Sequence, residues 1–241
     1  MSNLTIEIGT RRDLSPVGKE ELIASTYSLL MTLEILYQSS HGRCVCDVSC
    51  GVIDYARAEK ERTLVEESLV WSYLEPMWLY AEEGVLSPKL QNTHIEDVVG
   101  DLVKWLSAVE SISEYCGEIT QTPIIKVLTK FLARLKLDFN IDFSVGKDIP
   151  YVAGLCSGDS LYIDWLPQVD NKYLTVVELA LLGGTSNIRT VRNAQYDKVN
   201  PLHFFKEGKK VFVKIEVARQ WLDQRRSFVA TQMENNIDII H

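Results

Sequence analysis

Asn187, Arg189, Thr190, Arg192 and Asn193 crowd one short stretch of the chain. Each carries a group that can read or grip nucleic acid. An Arg guanidinium presents two parallel donors that match O6 and N7 of guanine, and an Asn amide matches N6 and N7 of adenine. Ile188 and Val191 lie three apart, on one side of a helix, with Ala194 and Tyr196 continuing the stripe. The polar set is then left facing outward. A solvated helix face uses the same residue types, so the pattern selects DNA only together with its surroundings. Those surroundings include Lys206, Lys209 and Lys210, gathered where a hairpin would turn at Glu207-Gly208. Lysines at a hairpin tip suit contact with a phosphate strand. They also protect a sheet edge from unwanted pairing.

Other residue clusters offer chemistry and fall short of it. His41, Cys44, Cys46 and Cys50 include good zinc ligands, but there is no Cys-x2-Cys knuckle and no second Cys/His pair to close a tetrahedron. Reduced thiols acting as small hydrophobes account for the cysteines. His94-x-Glu96 lacks the following Cys-x2-Cys of a zinc deaminase, and Glu96 fits a capping box with Thr93. Gly154-Leu-Cys-Ser157-Gly158 is not a Gly-x-Ser-x-Gly elbow. Gly183-Gly184-Thr185-Ser186 lacks the Lys of a phosphate-binding loop. The expectation is therefore a protein without catalytic residues, metal or cofactor.

The elements that would position the polar set are legible around it. Thr175-Val176-Val177-Glu178 is a capping box that opens a helix near Val176. Gly183-Gly184 ends that helix, and Thr185, Ser186 or Asn187 can cap the next one. Asn200-Pro201 breaks the chain. Leu202–Lys206 and Lys209–Lys214 read as the hairpin, and Glu216–Phe228 as a last helix with Val217, Ala218, Trp221 and Leu222 inward and Arg219, Arg225 and Arg226 outward.

This order resembles the excisionase-type winged helix-turn-helix, which is related to the reader of the mercury-resistance regulators. The matching positions are Leu174, Thr175, Glu178, Ala180, Leu182, Gly184, Thr190, Val191, Arg192, Gly208, Val213, Ala218, Trp221 and Leu222. The likeness covers about 55 residues, under a quarter of the chain. The turn GGTSNIRTV is one residue longer than the usual form, and Ala194 stands where an aromatic is common. The resemblance implies that the second helix enters the major groove and the hairpin touches the backbone.

The rest of the chain reads as mainly helical. Ser15-Pro16 looks like an N-cap and first helical position, opening a helix through Gln38 that is apolar on most of its circumference. Val52–Arg62 and Leu64–Glu82 follow, the second with Leu64, Val65, Leu69, Trp71, Leu74 and Trp78 on its apolar side and a kink or break at Pro76. Two more helices run from Thr93 to about Cys116 and from Thr122 to Leu137. Phe139 to Leu166 reads as extended pieces, and Pro167–Asn171 as a linker.

Charge divides along the same line. Between Lys172 and Val229 there are 11 Lys and Arg against 5 acidic residues, although the whole chain carries -8. An acidic body with a basic module is the asymmetry expected when one part meets phosphate. No signal peptide or span of ~20 apolar residues is visible, which points to a cytoplasmic protein with no membrane partner.

The expectation is a mainly α protein with a helical domain over 1–166 and a winged helix-turn-helix with a short β-hairpin over 172–229. Its function would be sequence-specific binding of double-stranded DNA through Asn187, Arg189, Thr190, Arg192, Asn193, Lys206, Lys209 and Lys210, as a transcriptional regulator of bacterial, phage or plasmid type. A homodimer would be formed by the apolar helices before residue 140. The alternative is a protein-interaction adaptor that docks a partner on the same surface without DNA. A further option is small-molecule sensing by a pocket near Trp71, Trp78 or Trp105.

Overall fold

The segment around Leu14 and Val17 shows how far apart in sequence the first contacts are made. The computed structural model describes residues 14–41, 55–91, 94–116, 121–139, 172–207 and 210–233. Leu14–Gly18 is not helical, contrary to the Ser15-Pro16 expectation. Tertiary contacts outweigh the local capping signal there. Leu14 and Val17 are buried, the Val17 N–H donates to Glu82 Oε1 at 3.2 Å, and Trp78 Nε1 donates to the Val17 carbonyl at 2.7 Å. The Leu14 N–H reaches the Ser186 carbonyl at 3.2 Å.

Helix α1 (Lys19–Ser40) then begins, with Glu20 and Glu21 in its first turn, where the helix dipole favours negative charge. Every residue from Leu22 to Leu29 is buried, including Ser25, Thr26 and Ser28. Thr26 and Thr32 donate to the carbonyls of Leu22 and Ser28, both at 2.8 Å, so their hydroxyls enter the core satisfied.

Short helices α2 (Tyr55–Lys60) and α3 (Arg62–Glu66) precede α4 (Leu69–Glu83). The continuous helix expected over Leu64–Glu82 is thus two helices. Ser68 breaks it by capping α4, its Oγ accepting from the Trp71 N–H at 3.1 Å. Leu64 and Leu69 flank this break and are exposed rather than apolar-side residues. Pro76 does not end α4, although it cannot donate to the Ser72 carbonyl.

Gly84 closes α4 at φ 72°, followed by strand β1 (Val85–Leu86), the one-turn α5 (Pro88–Gln91) and the long α6 (Ile95–Cys116). The expected Thr93 cap, the cysteines at 44, 46 and 50, the stretch 140–171 with its linker, and Lys209 all lie outside the described residues.

Helix α7 (Thr122–Phe139) is the central strut. Ile124, Ile125, Leu128, Phe131, Leu132 and Leu135 are inside as their spacing predicts, each contributing about 1.5–3 kcal/mol. Its polar side is buried as well, because α7 packs against α1 and α4 and also against the C-terminal helices. Lys130 pairs with Glu82, and burial lowers its pKa against the opposing pull of that carboxylate. Arg134 donates to the carbonyls of Val229 and Ala81 at 2.8 and 3.2 Å and lies over the rings of Tyr80 and Phe228. Tyr80 donates to Asp138 at 2.7 Å, and burial beside that carboxylate raises the phenol pKa.

The C-terminal stretch supplies β2 (Tyr173–Thr175), α8 (Val176–Leu182), α9 (Ile188–Asn193), β3 (Phe205–Glu207), β4 (Lys210–Lys214) and α10 (Ile215–Asp223). Its three strands form an antiparallel sheet in the order β2-β4-β3, with Leu174 opposite Val213 and Phe205 opposite Phe212. Beyond α10 the chain returns to the helical part. Strand β5 (Gln232–Met233) runs parallel to β1, and the Gln232 N–H donates to the Gly84 carbonyl at 2.8 Å.

Gly84 is therefore fixed twice, by its left-handed backbone and by the returning tail. A Cβ there would stand 2.6 Å from the Ala230 carbonyl oxygen. Gly84→Ala is expected to destabilise the protein by on the order of 1–3 kcal/mol. The expected readout is a lower urea midpoint at unchanged slope. An unchanged midpoint would mean that the tail shifts without cost.

Candidate nucleic-acid interface

Helix α8 begins as its sequence requires. Thr175 Oγ1 accepts from the Glu178 N–H at 3.1 Å, and Glu178 Oε2 accepts from the Thr175 N–H at 2.7 Å. Glu178 has a second role that no local pattern revealed. Its other oxygen takes Lys136 Nζ at 2.7 Å, in a pair whose side chains are 0% and 2% exposed. One carboxylate thus caps α8 and joins it to α7.

The turn after α8 is tight. Gly184 adopts φ 58°, and a Cβ on it would press on Ser227 at 3.1 Å. Thr185, buried here, donates from N and Oγ1 to the Ala180 carbonyl at 3.0 and 3.2 Å. The buried Leu14 holds the next residue through its bond to Ser186.

Of the three possible caps for α9, Asn187 is the one used: its Oδ1 accepts from the Arg189 N–H at 2.8 Å. Part of its hydrogen-bonding capacity is therefore already committed to the fold. Val191 is fully buried and Ile188 is half-buried, while Arg189, Thr190, Arg192 and Asn193 are exposed. Arg189, Arg192 and Asn193 stand at i, i+3 and i+4, so they share one face.

The helix is short, ending at Asn193 and passing into a 3₁₀ turn over Ala194–Tyr196. Tyr196, which the sequence reading places on the inward stripe, is instead 76% exposed: five residues beyond Val191 it lies roughly 140° round a helix from it. Asp197 then bends the chain. Its Oδ1 accepts from the N–H groups of Val199 and Asn200 at 2.8 and 3.3 Å, and these bonds hold its pKa below the usual carboxylate value.

The hairpin pairs Lys206 with Val211 and Glu207 with Lys210, so Glu207, expected in the turn, is a strand residue, and Leu202–Phe204, expected in the first strand, precede it. Lys206 is exposed, and Lys210 opens β4. Strand β2 was not anticipated; the clue was the β-prone Tyr173-Leu174-Thr175 directly before the capping box. Tyr173 stacks on Phe205 at 5.4 Å across the sheet face.

Helix α10 stops at Asp223 rather than reaching Phe228, giving way to turns in which the Arg225 and Phe228 N–H groups bond the carbonyls of Leu222 and Arg225. Two of the arginines expected on its outward face fold back, Arg219 from within the helix and Arg225 from the turn after it. Arg219 donates to the Leu137 carbonyl, and the Arg225 guanidinium lies 3.7 Å from the centre of the Trp221 ring.

Comparison with protein-family models, curated proteins and solved structures found no match. Among the described residues, no group of three or more His, Cys, Asp or Glu is arranged to hold a metal ion. Among the same residues no helix is long and apolar enough to cross a membrane.

Proposed function

We propose that this protein binds double-stranded DNA in a sequence-specific manner and regulates transcription, using residues 172–229 as a winged helix-turn-helix. The observation that carries the reading is α9, which buries Val191 and presents Arg189, Thr190, Arg192 and Asn193 to solvent. Long polar side chains on an otherwise anchored helix are what base edges in a major groove require. The antiparallel sheet of the same stretch ends in a hairpin bearing the exposed Lys206, and such a group suits the phosphate backbone. The local surplus of Lys and Arg over residues 172–229 of an otherwise acidic chain suits a phosphate-bearing partner.

The reading includes pairing of two copies through the helical part, where Leu64 and Leu69 are 49% and 57% exposed. A different use of the α9 surface, docking of a protein partner, is favoured by one observation: Tyr196 and Val199 project from its end, Val199 at 93% exposure.

Selection of genomic DNA fragments by the purified full chain tests the function, with the mass of each complex read by sedimentation. The expected result is enrichment of a common sequence bound by two copies. Failure to retain any fragment at low salt would overturn DNA binding. A single copy per site would remove the pairing alone.

A further inference from the structure

A groove of about 460 Å³ lies beside the C-terminal end of α10. Asp197 and Asn200 line one side, and Trp221, Gln224, Arg225, Arg226 and Ser227 contribute the rest. Its chemistry is unbalanced toward positive charge. Two guanidinium groups face one carboxylate, and that carboxylate already accepts the two backbone N–H groups of its own turn. Among the described residues no ion pair engages Arg225 or Arg226.

Arg225 is also pre-positioned. Its guanidinium carbon lies 3.7 Å from the centre of the Trp221 ring, and its Nε is buried without a hydrogen-bond partner. Desolvation lowers its pKa, a cost that an anion in the groove would offset. Gln224 Oε1 accepts from Asn200 Nδ2 at 2.8 Å, which ties the two walls together.

The groove adjoins the proposed DNA-reading surface. Its Asp197–Asn200 wall follows directly on α9 and its 3₁₀ turn. Ser227, another lining residue, donates to the Gly183 carbonyl at 2.6 Å, in the turn between α8 and α9. These links attach the groove to the turn and helix that carry α9. Planar guanidinium groups match the oxygens of an oxyanion with two parallel bonds, and the oxyanion that a DNA strand offers is phosphate.

We propose that this groove holds a backbone phosphate of the bound DNA, gripped by Arg225 and Arg226. The proposal rests on the DNA-binding reading and adds a second, sequence-independent anchor to it. The test is binding of the full chain to a selected DNA fragment across a salt series. Two variants are compared, Arg226→Gln, whose side chain is exposed, and Arg225→Met, which keeps an apolar contact with Trp221. Each variant should lower affinity for all sequences alike and reduce the slope of log K against log salt by about 1. Loss of binding through misfolding in Arg225→Met would be visible in its thermal melt, and Arg226→Gln then decides alone.

Wild-type DNA binding with the slope unchanged in the folded variants overturns the groove assignment and leaves the DNA reading standing. No DNA binding by the wild-type chain overturns both. A side-chain NMR signal of Arg225 that moves with sub-millimolar inorganic phosphate, and does not move with DNA, would assign the groove to free phosphate and overturn the proposal.

Discussion

Lys136→Met is expected to destabilise the protein by about 3–5 kcal/mol, the usual cost of leaving one partner of a buried pair uncompensated. Lys136 and Glu178 meet at 2.7 Å with essentially no solvent contact. Their attraction is strong at that distance, but both charges were taken out of water to make it, so the pair as a whole contributes little net stability. Removal of the ammonium alone is different. The Glu178 carboxylate keeps only the Thr175 N–H as a close donor, on one of its two oxygens.

The double variant Lys136→Met/Glu178→Gln removes both charges and retains an acceptor for Thr175, and should recover a large part of the loss. Urea unfolding of the two single variants and the double variant forms a cycle that isolates the pairwise energy. Loss of under about 1 kcal/mol in Lys136→Met, or strictly additive variants, would show that water reaches Glu178 and that the pair is not what joins α8 to α7.

That pair also marks where the sequence stopped being informative. The capping box at Thr175 and Glu178 and the stop at Gly183-Gly184 are local patterns, fixed by backbone groups within a few residues, and each is legible; the hairpin is legible as an element, but its first strand begins at Phe205 and takes in Glu207. The inner stripe of α7 was legible for the same reason, since periodicity reports which residues share a face. The burial of its other face was not, because it depends on α8 and α10 arriving from more than thirty residues away. Ser15-Pro16 misled in the converse way. A good local cap signal lost to the contacts that Val17 makes with Trp78 and Glu82, some sixty residues distant.

The candidate site divides likewise. Exposure of Arg189, Arg192 and Asn193 follows from their spacing relative to Val191 and was readable. The fold-back of Arg225 onto Trp221 was not, because both look like ordinary members of an amphipathic helix until that helix ends at Asp223. The return of the tail to pair with β1 had no signature either, as two-residue strands carry almost no pattern.

Arg189→Ala and Arg192→Ala are each expected to weaken specific DNA binding by about 1–3 kcal/mol, the range for a bidentate base contact. Both side chains are exposed, and the Arg189 backbone N–H that Asn187 caps survives the change, so α9 itself should persist. The loss should be unequal across sequences: each variant relaxes discrimination at one position of the site while retaining non-specific affinity. Lys206→Ala provides the contrasting control, weakening all sequences alike and flattening the salt dependence as a phosphate contact does. Binding of matched and mismatched fragments, measured at two salt concentrations, separates these signatures. Equal losses on matched and mismatched DNA for both arginines would make α9 a backbone-gripping element, and sequence would then have to be read elsewhere or by DNA deformability. Unchanged DNA binding in both variants, with loss of a protein partner instead, would transfer the surface to the docking reading that Tyr196 and Val199 favour.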